Sequence, residues 1–103
     1  VNKGLFSIQE LVRLMAENPV KIFGLDGKGM LKEGFSADVT VVDLHKRGVI
    51  DSSRFHSKAK YSPFDGWQVK GMPVKTFVNG VLVMDNGEIV AEPGVGEIIR
   101  KKF

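Results

Sequence analysis

Asn79-Gly80 is the tightest constraint on what this chain can fold into. A two-residue hairpin connection of type I′ needs positive φ at both central positions, and Asn followed by Gly is the pair that tolerates it. Residues 74–78 and 81–84 on either side are rich in Val, so the dipeptide commits this stretch to an antiparallel hairpin. Asp85-Asn86-Gly87 predicts a second turn into Glu88-Ile89-Val90, making a three-stranded meander that Pro93 and Gly94 stop. Upstream, Val39-Thr40-Val41-Val42 reads as a buried-type strand between Asp38 and Asp43. Residues 96–103 are expected to form a short terminal helix, and Arg100, Lys101 and Lys102 suit the negative end of its dipole.

The first element is helical. Ser7 and Glu10 form a capping box, and Phe6 and Leu11 stand at the two positions of a hydrophobic staple. Ile8, Leu11, Val12 and Met15 follow the i, i+3, i+4, i+7 spacing of one apolar stripe. A residue before proline is pushed out of the helical region, so Asn18-Pro19 is expected to end this helix. A second short helical turn over 20–23 is expected to close at Gly24. Four glycines in the eleven residues 24–34 read as turns. Residues 45–71 show little periodicity and are expected to form a long connection, uncommon in a small domain unless it is functional or belongs to a larger context.

With 103 residues the prior is one compact domain that buries roughly 65% of its unfolded surface, enough for one modest core. Zero Cys excludes disulfides, thiolate zinc sites and Cys nucleophiles. No apolar run approaches the ~20 residues of a bilayer span, and no signal-peptide core opens the chain, so a cytoplasmic protein with no membrane partner is expected.

Catalytic constellations are missing. His45 and His56 lie on a polar stretch without a His-x-His, whereas a catalytic zinc wants about three converging protein ligands. Both read as solvated surface residues. Ser52, Ser53, Ser57 and Ser62 lie near His56, but no Gly-x-Ser-x-Gly elbow occurs. Gly27-x-Gly29 and Gly94-x-Gly96 lack the third glycine of a phosphate cradle and read as turns. Asp38 and Asp43 flank a strand and are expected to cap it rather than share a proton. Residues 45–60 hold five Lys/Arg against one acid, with Phe55 inside, which is the make-up of a single-strand nucleic-acid groove. The whole chain carries only +3, so a solvated loop face is the better reading and nucleic acid is not the expected partner. Tyr61-Ser62-Pro63-Phe64-Asp65-Gly66-Trp67 is dense in aromatic and turn-forming residues. It reads equally as a loop pinned to a core and as a loop that docks on a neighbouring domain.

Several of these stretches together resemble a known family. Asn18-Pro19-Val20-Lys21-Ile22-Phe23-Gly24-Leu25, the Lys28-Gly29 step, Glu33-Gly34, and Ala37-Asp38-Val39 with Asp43-Leu44 look like the tail of cyclic amidohydrolases. Ser57-Lys58-Ala59-Lys60-Tyr61 leading into Ser62–Trp67, then Lys70-Gly71 and Val78-Asn79-Gly80, continue the resemblance in the same order. The chain is most similar to dihydroorotases, with allantoinases and dihydropyrimidinases beside them, from the helix at Ser7 through the meander near Val90.

The resemblance implies an α+β, β-rich fold: residues 1–24 as the last helices of a (β/α)8 barrel, and 25–103 as the C-terminal part of a composite β-sandwich. It implies a parent enzyme whose zinc centre is built from an early His-x-His, a carboxylated lysine, two further histidines and an aspartate. None of those positions falls in this segment. The expectation is therefore a non-catalytic fragment with no catalytic, cofactor-binding or metal-binding residue of its own, zinc belonging to the full-length parent. That parent would interconvert carbamoyl-aspartate and dihydroorotate in pyrimidine biosynthesis, and Val1 reads as an internal cut. The expected partners are the missing barrel and, for the fragment alone, further copies of itself, because its apolar stripe and sheet edges would lie open. A fragment of an allantoinase or dihydropyrimidinase is the rival within the family. A free-standing β-rich binding module for nucleic acid or protein is the rival outside it.

Overall fold

The computed structural model describes residues 1–100. It consists of one helical rod and one antiparallel sheet, joined by an irregular connection. The rod is α1 (Ile8–Val12), a π-helical turn over Arg13–Glu17, and α2 (Asn18–Phe23). The sheet is a simple meander in the order β1 (Val39–Val49), β2 (Gln68–Val78), β3 (Val81–Asp85) and β4 (Glu88–Ile89).

The capping box forms as read: Ser7 Oγ accepts from the Glu10 N–H at 3.2 Å, and the Glu10 carboxylate reaches back to the Ser7 N–H. The break at Asn18-Pro19 does not form. Asn18 keeps helical dihedrals (φ −64, ψ −46), and its N–H bonds back five residues to the Arg13 carbonyl. Pro19 lacks an N–H and its ring would clash with the carbonyl four residues earlier; the widened π turn takes up both problems, so the chain continues as helix. Gly24 then ends the rod in the left-handed region at φ 64, where its N–H and that of Leu25 both reach the Val20 carbonyl.

Both predicted turns are present. Asn79 (φ 49) and Gly80 (φ 79) join β2 to β3 with Val78 opposite Val81, and Asn86 (φ 48) and Gly87 (φ 85) join β3 to β4. The expected first strand is much longer than 39–42, and the long connection correspondingly shorter, running over 50–67. Two irregularities hide this strand from a periodicity reading. Val42 faces Pro73 where Val41 faces Lys75, so a bulge on β2 admits a proline that cannot donate to the ladder. Asp43 faces Met72 while Arg47 faces Lys70, so Leu44, His45 and Lys46 loop out opposite Gly71. The Asp43 carboxylate holds that loop by accepting from the His45 N–H (2.9 Å) and the Lys46 N–H (3.2 Å). Asn2 stitches the chain's start onto the same place, donating to the carbonyls of Leu44 and Lys70.

The terminal helix expected over 96–103 is absent from 96–100, and its remainder lies outside the described residues. The Val95 carbonyl is instead engaged by the Asn79 side-chain amide at 3.0 Å, which ties this segment to the first hairpin turn.

The modest core expected from chain length does not form either. Among the described residues no hydrophobic side chain is buried, and the helical rod makes no contact with any strand. The accessible surface is 8486 Å², against ~5,800 Å² for a compact protein of this mass. The radius of gyration is 15.4 Å where ~13 Å is usual. The rod is held instead by the connection after it. Gly29 (φ +86) lies so close that a Cβ there would meet Val20 Cγ2 at 2.7 Å and the Ala16 carbonyl at 3.1 Å.

Gly34 has a similar φ of +83 but open space around it. Gly29→Ala is therefore expected to destabilise by about 1–3 kcal/mol more than Gly34→Ala, since it adds overpacking to the same backbone strain. Thermal unfolding followed by circular dichroism separates the two, and equal losses would contradict the close packing.

Candidate functional site

Two acid-centred clusters fix the irregular parts of the chain. The first lies in the 50–67 connection between β1 and β2. Here the backbone closes a neck, with the Ile50 N–H donating to the Trp67 carbonyl (2.9 Å) and the Gly66 N–H donating to the Ile50 carbonyl (2.8 Å). Inside the neck Ser52, 3% exposed, is the one buried residue among those described. Its N–H donates to Asp65 Oδ1 at 2.8 Å, its hydroxyl donates to Asp65 Oδ2, and the same hydroxyl reaches the Lys60 carbonyl at 3.3 Å. Bonding to the Ser52 hydroxyl, then to its N–H, holds the Asp65 carboxyl below its ordinary pKa. Asp51 caps the short 3₁₀ turn Ser52–Arg54 by accepting from the Ser53 N–H and hydroxyl.

The aromatic residues of this connection do not pin it. Phe64 meets Trp67 edge to face, with centroids 5.1 Å apart, yet Tyr61 is 76% exposed, Trp67 58% and Phe64 50%. The serine–aspartate pair does the pinning and leaves the aromatic rings outward. Within this chain the aromatics of residues 61–67 therefore do not pin the loop to a core. Sequence reading singled out neither Ser52 nor Asp65 as an anchor. The signal was the Asp65-Gly66 turn closing on a serine thirteen residues earlier, a long-range pairing that local spacing does not expose.

The second cluster joins the connection after the rod to the first hairpin. Asp38 accepts from Lys28 at 2.5 Å and from the Asn79 N–H at 2.9 Å, while the Gly80 N–H donates to the Ala37 carbonyl. The Lys28 hydrogen bond, then the Asn79 N–H, lowers the Asp38 pKa. Asp38 caps the entry to β1 as expected, whereas Asp43 does not flank the strand: β1 continues to Val49, and Asp43 sits inside it, holding the looped-out residues that follow. A shallow concavity of about 280 Å³ lies nearby, between Glu17, Val20 and Lys21 of the rod and Leu25, Met30 and Phe35.

The remaining candidates stay apart. His45 sits in the looped-out part of β1 and His56 in the 50–67 connection, both exposed. Among the described residues no three of His, Asp or Glu are grouped to hold a metal ion, so they do not fit the zinc centre that the resemblance implies for the parent. Arg47, Arg54, Lys58 and Lys60 are exposed along β1 and the connection. No helix among the described residues is long and apolar enough to cross a membrane.

The amidohydrolase family matches residues 1–83, and the chain belongs to it. More particularly, its relatives include proteins named L-hydantoinase and dihydroorotase. The chain is 44% identical over 103 residues to an L-hydantoinase of Paenarthrobacter aurescens, matching 99% of this chain and 22% of that protein. It is 41% identical over 101 residues to a dihydroorotase of Pyrococcus furiosus, matching 98% of this chain and 24% of that one. Among solved structures, the L-hydantoinase (dihydropyrimidinase) from Arthrobacter aurescens superposes with a TM-score of 0.92 over 97% of this chain and 22% of its own, at 44% identity. A D-hydantoinase from Thermus sp. does so with a TM-score of 0.89 at 30% identity, over 97% of this chain and 22% of its own. The chain thus spans about a quarter or less of the length of these relatives.

Because the lowered pKa of Asp65 means the folded state binds its proton less readily than the unfolded chain, its tie to Ser52 contributes fully above the ordinary carboxylate value of about 3.9 and is lost as pH falls through the lower folded value. Emission from Trp67, two residues away and the only Trp, is expected to change in acid with a midpoint below that value. Asp65→Asn at neutral pH should show the acid-form emission. A midpoint above about 4, or an unchanged Asp65→Asn spectrum, would contradict the anchoring role.

Proposed function

We propose that this chain is the C-terminal segment of a zinc-dependent cyclic amidohydrolase of the dihydroorotase kind. In this reading residues 1–24 close a (β/α)8 barrel and residues 25–103 complete a β-sandwich whose other strands come from elsewhere in the parent. The segment is scaffold. Its acid clusters fix loops, and the hydrolytic groups belong to the rest of the enzyme. The parent would close carbamoyl-aspartate to dihydroorotate and reopen it, in the cytoplasm.

The observation that carries the reading is the uncovered surface. A four-stranded layer with no buried hydrophobic residue, beside a rod that presents Val12 and Met15 outward, is built to be covered. The dihydroorotases among its relatives supply the substrate class. A second reading, that the parent opens hydantoins or dihydropyrimidines, is favoured by the L-hydantoinase that matches both in sequence and in structure.

The intact gene product, purified from its source, decides between them. Ring opening of dihydroorotate well above that of hydantoin, dihydrouracil and allantoin is expected, and preferential opening of any of the others would replace the first reading. A native product no heavier than 11.4 kDa would remove both.

The 103-residue chain alone is expected to self-associate through the open stripe of the rod. Light scattering should show a dimer or larger species at micromolar concentration, and Val12→Glu with Met15→Glu should reduce it. A monodisperse wild-type monomer up to millimolar concentration would argue against the open face.

A further inference from the structure

The chain carries two Asn-Gly turns of the same type, and they are held very differently. At Asn79-Gly80 both backbone N–H groups and the side-chain amide are engaged. The Asn79 N–H donates to Asp38, the Asn79 side-chain amide donates to the Val95 carbonyl, and the Gly80 N–H donates to the Ala37 carbonyl. This turn also joins two strands of some length, β2 and β3.

At Asn86-Gly87 the hold is slight. Asn86 and Gly87 are both exposed. The Asn86 side-chain amide has a long contact of 3.4 Å to Asp85, and the Gly87 N–H points at the Met84 sulfur, a weak acceptor. Only the Asn86 N–H is firmly held, by the Val74 carbonyl at 2.7 Å. Beyond the turn lies β4, two residues long and at the edge of the sheet, with a single further backbone bond from Val90 to Val83. An edge element so short opens locally at little cost.

We propose that Asn86-Gly87 is a site of spontaneous covalent modification, in which the asparagine converts to aspartate and isoaspartate, and that the fold protects Asn79-Gly80 from the same reaction. The Gly87 backbone nitrogen attacks the side-chain carbonyl carbon of Asn86. A bond forms between that nitrogen and Cγ, the Cγ–Nδ2 bond breaks, and ammonia leaves with the proton shed by the Gly87 nitrogen. The resulting five-membered imide is opened by water at either carbonyl, giving aspartate or isoaspartate. Glycine is the residue that lets this attack happen, because no Cβ obstructs the nitrogen. The reaction needs the turn to open far enough for that nitrogen to reach Cγ, and the hydrogen bonds of Asn79 and Gly80 withhold that freedom.

The product alters this corner of the sheet. It adds a negative charge next to Asp85, whose carboxylate pairs with Lys75 at 2.8 Å. In the isoaspartate form a methylene enters the backbone of a two-residue turn, which breaks the register of Asp85 opposite Glu88.

The test is internal to one protein. The chain is kept in native buffer at mildly alkaline pH, in water enriched in heavy oxygen, and both turns are mapped by peptide mass spectrometry over time. Labelled acid at position 86 is expected to accumulate several-fold faster than at 79, and the two rates should converge in concentrated denaturant. Equal native rates, or faster reaction at 79, would overturn the proposal. So would a difference that persists undiminished in denaturant, because it would then owe nothing to the fold.

Discussion

The pairing of β1 with β2 carries the structure. Two eleven-residue strands run antiparallel from Val39 opposite Phe77 to Val49 opposite Gln68, and the two irregular connections are fastened at the two ends of this ribbon. At the Val49 end the 50–67 connection closes its neck. At the Val39 end Asp38 ties the chain coming from the rod to the Asn79 turn. A two-stranded ribbon is marginal in water by itself, and β3 with the short β4 adds only one side of a layer. The hydrophobic term that normally dominates folding is therefore largely unspent, and hydrogen bonds at the discontinuities do the positioning.

Those discontinuities share one solution. Asp38 at the entry to the ribbon, Asp43 at its looped-out middle and Asp65 at its far end each accept two hydrogen bonds, at least one of them from a backbone N–H. A carboxylate accepts in several directions at once, which suits places where the chain leaves regular geometry and its N–H groups lose their ladder partners. These acids lie in the stretches that resemble the tail of the amidohydrolases, and here their work is conformational. Chemistry performed by the parent would depend on them only through the loops they fix.

What could be read in the sequence was local. The capping box at Ser7, the glycine end of the rod and both Asn-Gly turns are signals a few residues wide, set by backbone dihedrals that few residue types tolerate, and all of them stand. What could not be read was irregular or distant. The second half of β1 is His45-Lys46-Arg47-Gly48-Val49, where the loop opposite Gly71 shifts the alternation and polar side chains on an exposed layer remove the apolar period. Pro19 failed as a helix stop because a π turn absorbed it. The Ser52–Asp65 anchor joins residues thirteen apart in a segment without periodicity. The core was overestimated for a different reason, since chain length predicts burial only for a chain that folds around itself.

The π turn has a consequence for how the rod is shared. Each added residue advances a helix by about 100°, so a turn that holds one residue more than an α-helix rotates everything after it by that amount relative to an unbroken rod. Side chains of α1 and α2 that would have lined a single seam are thrown out of phase. The rod thereby turns Val20 toward Gly29 and its own following connection, while Met15, a turn earlier, stays in the open at 73% exposure. One length of helix acquires two contact seams at different azimuths: Ala16 and Val20 meet Gly29 of its own chain, while Met15 faces outward to whatever lies alongside.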